Sequence, residues 1–169
     1  MYSGKTTVGL KLSRRLGYGF VDLDQLFEAR FHTSIPIFFA HYGEEAFRIL
    51  ERQVLHNTEE MEDAVISTGG GTACQFDNME WMNAHGLTIY LQMNPETLLQ
   101  RAAVSRKQRP LLTQMTAEER DLFVRKQLAE RIPFYRQAQI TLPADEVDLE
   151  QLVAALNVPT SCPSDGKAR

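Results

Sequence analysis

A chain of 169 residues with 43% hydrophobic and 24% charged residues has the size and balance of one soluble domain with a sizeable core. Its formal charge of −4 argues against nucleic acid as the main partner, although a local basic cleft is compatible with it. Two cysteines, Cys74 and Cys162, form neither a disulfide framework nor a metal-ligand spacing, and no apolar run reaches the length of a membrane span. The first residues also lack the basic-then-apolar pattern of a secretion signal, so a cytoplasmic protein with free thiols is expected.

The first element begins at once. "SGKTT" (3–7) reads as the back half of a phosphate-binding loop, G-x-x-x-x-G-K-[ST], whose first glycine should stand five residues before Gly4. In such a loop Lys5 is a point charge for the β- and γ-phosphates, and the Thr6 hydroxyl is a ligand for magnesium. "TTVGLKLSRRLG" then carries Val8, Leu10, Leu12 and Leu16 as an amphipathic helix whose N-terminus faces the same anions. A tripeptide G-K-T also arises by chance, so the remaining segments must decide.

"GFVDL" (19–23) is a strand that puts Asp22 and Asp24 on one side of the alternation at its carboxyl end. One carboxylate there can support a hydrated magnesium, and the other can hold or deprotonate a hydroxyl. Alternatively, Asp24 merely caps the helix "QLFEARF". From Glu44 to Glu62 a helical stripe runs through Phe47, Leu50, Val54 and Met61. Arg48 and Glu51 stand three apart beside it, a spacing that also suits a plain solvent-exposed pair. "AVIST" (64–68) is a buried strand followed directly by Gly69, Gly70 and Gly71. A tight turn needs one or two glycines; three fit a backbone that approaches a ligand closely and donates its N–H groups.

"LTIYLQ" (87–92) is the next strand, and "NPETLLQRAA" is a helix with Asn94 as cap and Pro95 in its first position. "SRKQRPLLTQMTAEERD" (105–121) is basic and broken by proline. It reads either as a flap that closes over phosphates or as a solvated loop. A helix from Ala117 should end or kink at Pro133, with Arg131 just before the proline and Phe134 and Tyr135 packed inward. "QITLP" (139–143) is the last strand, and 157–169 reads as a disordered tail. Short apolar strands separated by helices predict an α/β fold, a parallel sheet covered on both faces, in one domain over residues 1–156.

Taken in order, "SGKTT", "FVDLD", "GEEAFRILE", "STGGG", "RPLL" and "ERIPFY" resemble the shikimate kinases, small members of the nucleoside-monophosphate-kinase-like P-loop group. The likeness runs from the start to about residue 156. It implies a three-layer α/β/α parallel sheet, with the central first strand missing from this chain. That strand would lie between the strands at 64–68 and 87–92. It further implies transfer of the ATP γ-phosphate to the 3-hydroxyl of shikimate, on the route to aromatic amino acids. The shikimate-binding region would cover about 25–60 and the lid about 106–121.

By the same likeness, Tyr2, Ser3, Gly4, Lys5, Thr6 and Thr7 surround the ATP phosphates, and Tyr2 stands where relatives carry a small residue. Thr6 and Asp22 hold the magnesium, Asp24 binds the acceptor hydroxyls and serves as base, and Arg48 and Arg131 grip the substrate. Gly69, Gly70 and Gly71 supply backbone N–H groups to it, Glu51 braces Arg48, and Arg109 reaches the phosphates from the flap. Arg101 is a candidate to stack on adenine. ATP and shikimate are the expected partners, with no nucleic acid, no membrane and a monomeric chain. The competing readings are another small-molecule kinase of the group, such as a gluconate or nucleotide kinase, and a truncated relative without catalysis.

Overall fold

The computed structural model describes residues 4–104 and 115–156. Helix α1 (Lys5–Leu16) starts after Gly4, whose φ of 81° lies in the left-handed region, and stops at Gly17, whose N–H bonds back to the Ser13 carbonyl. Arg14 and Arg15 fill its last turn, where the helix dipole favours cations. Gly9 lets α1 lie directly on strand β1 (Gly19–Asp22), because a Cβ there would stand 2.8 Å from the Phe20 ring. β1 pairs in parallel with β2 (Ala64–Ser67), from Gly19 opposite Ala64 to Asp22 opposite Ser67.

Between them run α2 (Leu23–Phe31) and α3 (Ile35–His56). Here the structure departs from the expected strand face with two aspartates. β1 ends at Asp22, which caps α2 by accepting from the N–H groups of Asp24 and Gln25. Capping therefore belongs to Asp22, while Asp24 lies in the first helical turn. The exchange is favourable because the carboxylate satisfies two orphan N–H groups that a longer strand would leave to solvent. Helix α3 also begins earlier than the stripe from Glu44 indicates. Pro36 stands in its first turn, where a missing N–H costs nothing, and Gly43 (φ 80°, ψ 174°) breaks the helical path midway. Its regular turns end at His56, so Met61 falls beyond the stripe and is 39% exposed.

There follow α4 (Asn78–His85), β3 (Ile89–Gln92), α5 (Pro95–Val104), α6 (Ala117–Tyr135), β4 (Ile140–Pro143) and α7 (Leu149–Ala155). A capping box between Thr116 and Glu119 opens α6, and Pro133 lies inside this helix rather than ending it. β3 pairs in parallel with β4, from Ile89 opposite Ile140 to Gln92 opposite Pro143. α4 and α7 have no counterpart among the sequence patterns above.

Leu12 and Leu16 of α1 pack with Leu152 and Val153 of α7 over Val65, Ile89 and Ile140, so one helical layer spans both strand pairs. Along β2, Ala64 and Ile66 alternate with Val65 and face the other way. They border a cavity of about 320 Å³ that also touches Ile89 of β3, Leu55 of α3, Met79 of α4 and Val124 of α6. Among the described residues no ladder joins β2 to β3. A second core of Leu23, Phe27, Phe38, Phe47, Val54 and Leu55 ties α2 to α3, with the Phe27 and Phe38 rings edge to face at 5.3 Å. No helix among the described residues is long and apolar enough to cross a membrane.

Candidate active site

The carboxyl end of β2, the start of α1 and the last turns of α6 meet around one end of the cavity, and the carboxyl end of β1 joins the start of α1 through Asp22. Lys5, the first residue of α1, shares its wall with Gly69, Gly70 and Arg131. This placement joins the two ends of the sequence reading, the phosphate loop and the glycine run.

At the start of α1, the Thr6 hydroxyl donates to Asp22 Oδ2 at 3.0 Å. The other Asp22 oxygen is engaged in capping α2, at 3.1 Å from the Asp24 nitrogen. Asp22 thereby fixes α1 and α2 relative to each other. Thr7 is exposed in the first turn of α1. Arg101 comes from α5, close enough that a Cβ on Gly4 would stand 3.6 Å from its Nη1, while its Nη2 pairs with Asp145 at 2.7 Å. Tyr2, Ser3 and Arg109 lie outside the described residues, as do most of the flap and the 157–169 tail.

Around Arg48 lies a network. Arg48 Nη1 donates to Glu51 Oε2 at 2.8 Å, and its Nε and Nη2 both reach Glu44 Oε1, at 3.1 and 2.8 Å. Glu51 is 3% exposed, so the open ion pair allowed by its spacing is instead a buried one. Its second oxygen accepts from the Thr72 hydroxyl at 2.7 Å, and the Thr72 carbonyl accepts from Asn78 Nδ2 at 2.8 Å. Burial alone pulls the Arg48 guanidinium down. The hydrogen bonds and charges of Glu51 and then Glu44 outweigh it and hold Arg48 above its ordinary value.

The glycine run threads through this network without room for side chains. A Cβ on Gly69 would stand 2.9 Å from the Thr72 hydroxyl and 3.0 Å from carboxylate oxygens of Asp24 and Glu51. One on Gly71 would stand 2.7 Å from Arg48 Nη2. Arg131 Nη1 approaches the Gly70 carbonyl from α6 at 3.4 Å, and the Tyr135 hydroxyl donates to the same oxygen. Cys74, just past the run, reports the convergence: burial pushes its thiol up, while the charges of Arg131 and Arg48 pull it down. Asp24, Arg48, Glu51, Gly69–Gly71 and Arg131 are thus brought together, with Lys5 across the cavity wall.

Sequence reading misses Thr72, Glu44, Tyr135 and Asp145 as parts of this arrangement. Glu44 was findable, since it precedes Arg48 by one helical turn. Thr72 follows the glycine run directly. The contacts of Tyr135 with Gly70 and of Asp145 with Arg101 span 65 and 44 residues and leave no local trace.

The family model described as shikimate kinase matches residues 1–157. A shikimate kinase of Parabacteroides distasonis is 46% identical over 147 residues, which cover 87% of this chain and 85% of that one. The crystal structure of the shikimate kinase of Bacteroides thetaiotaomicron superposes with a TM-score of 0.85 at 42% identity, covering 92% of this chain and 91% of that one. That of Acinetobacter baumannii, in complex with shikimate, superposes with a TM-score of 0.78 at 35% identity, covering 92% and 86%. With its parallel α/β architecture and a family match over nearly its whole length, the chain belongs to the shikimate kinase family.

Proposed function

We propose that this chain transfers the γ-phosphoryl group of ATP to the 3-hydroxyl of shikimate, with the groups around the shared end of the cavity as its machinery. The observation that carries this reading is the meeting of Lys5 with Gly69, Gly70 and Arg131 in the wall of one cavity, because phosphoryl transfer is mainly positioning and charge stabilisation. Arg48 and Arg131 hold the acceptor carboxylate, a task suited to planar forked donors. The N–H groups of Gly69, Gly70 and Gly71 bind its oxygens. Asp24 takes the proton from the 3-oxygen as that oxygen bonds to the γ-phosphorus. The bond from phosphorus to the bridging oxygen breaks, and ADP leaves with its electron pair.

Lys5 and the N-terminus of α1 balance the phosphate charge, with Gly4, Thr6 and Thr7 in the loop and Tyr2 and Ser3 ahead of them. Arg109 completes the set from the flap, and Arg101 borders the nucleotide. The Thr6 hydroxyl and the Asp22 carboxylate, 3.0 Å apart, are hard oxygen donors of the kind magnesium takes beside phosphates and water. These two residues would hold the ion, which when bound would supply charge neutralisation at the transferred phosphoryl group.

Coupled ADP release with shikimate, gluconate and nucleoside monophosphates in parallel tests the acceptor. Turnover with shikimate alone is expected. Faster turnover with gluconate or a nucleotide would overturn the assignment.

A further inference from the structure

Tyr135 ends α6, and its hydroxyl donates to the carbonyl oxygen of Gly70. Arg131, one turn earlier on the same helix, reaches that oxygen only at 3.4 Å. The phenol is therefore the closer anchor of this carbonyl. Its ring is set in place by Tyr90 of β3, with centroids 5.1 Å apart.

What the anchor does follows from peptide geometry. The bond between Gly70 and Gly71 is trans, as all are among the described residues, so the carbonyl of one residue and the N–H of the next point in opposite directions across one rigid plane. Holding the Gly70 carbonyl toward α6 turns the Gly71 N–H away from α6. Gly71 is buried, it packs against the Arg48 guanidinium, and its N–H meets no protein acceptor among the described residues. A buried N–H without a partner is costly, and an oxygen of a bound ligand beside Arg48 relieves that cost. Without the phenol, the long Arg131 contact is what remains on this carbonyl among the described residues, and two glycines in series have no side chains to restrict the plane.

We propose that Tyr135 is a positioning residue for acceptor binding: its hydroxyl locks the Gly70–Gly71 peptide so that the Gly71 N–H donates to an oxygen of the substrate. This rests on the reading of the glycine run as part of the acceptor site. Burial pushes the phenol above its ordinary pKa, which keeps it a donor throughout the neutral range.

Tyr135→Phe in the full chain removes only the hydroxyl. The KM and calorimetric Kd for shikimate should rise about fivefold, the scale of one neutral hydrogen bond, with KM for ATP and kcat at saturating shikimate unchanged. Tyr90→Phe, which keeps the neighbouring ring and removes a hydroxyl that does not bond to Gly70, should leave shikimate binding as it was. A nitrogen-15 amide spectrum separates the two layers of the reading. In the unsubstituted chain the Gly71 resonance should move on adding shikimate, and in Tyr135→Phe it should move less at saturation. If shikimate shifts the Gly71 amide equally in both proteins and binds both equally well, the role of Tyr135 is overturned while the glycine site stands. If shikimate leaves the Gly71 amide of the unsubstituted chain unmoved, both fall.

Discussion

On the proposed acceptor side, Arg48 is clasped by Glu51 and Glu44, Glu51 is clasped in turn by Thr72, and Gly69 and Gly71 lie against these groups with no space to spare. On the phosphate side, Thr6 and Asp22 share one exposed hydrogen bond, and the helix start itself offers mostly backbone N–H groups. Charges on the first side are paired and partly desolvated before any ligand arrives. On the second side the contacts of Thr6 with Asp22 and of Arg101 with Asp145 stay open to solvent. On the proposed reading, the contrast means that acceptor recognition is preorganised by buried ionic contacts, so damage to it spreads into folding. Damage at the phosphate side or at the proton acceptor should appear in turnover alone.

The sharpest break in this comparison is Asp24→Asn. Losing the proposed base should lower kcat by about 10²–10⁴-fold, with the urea midpoint little changed. A kcat within threefold of the parent would remove Asp24 from the chemistry. Glu51→Ala should act in the opposite way. It strips one partner from a buried pair and leaves the Thr72 hydroxyl unanswered, at a cost of about 3 kcal/mol in urea unfolding. A loss below about 1 kcal/mol, the level of an exposed pair, would show that the acceptor side is not preorganised in this way. Smaller still is Gly71→Ala. Its Cβ would press on a guanidinium that two carboxylates hold in place, so KM for shikimate should rise about tenfold, as overpacking of 1–2 kcal/mol implies. An equal rise in KM for ATP would contradict the separation of the two sides.

Much of this was legible in the sequence because the informative residues are local. The glycine run after an apolar strand, the G-K-T start of a helix and the spacing of Arg48 from Glu51 are all short-range patterns, and they fall where the structure brings them together. Burial was not legible: an i,i+3 pair looks the same in sequence whether it is open or closed, and only the packing of Thr72 and Asn78 decides it. The alternation at Phe20–Asp24 misled because a strand that ends in an aspartate cap reads like a longer strand. The first turns of α3 escaped because Pro36 and Gly43 look like breakers, whereas one starts the helix and the other bends it. The Tyr135 contact escaped because it joins distant segments, which periodicity does not encode.

Phosphorus NMR of the chain incubated with ATP, magnesium and shikimate tests the central claim most directly. The account predicts loss of the γ-phosphate resonance matched by ADP and by a monoester coupled to the proton on carbon 3 of shikimate. ADP formed with inorganic phosphate alone, or ATP left intact beside shikimate, would contradict it.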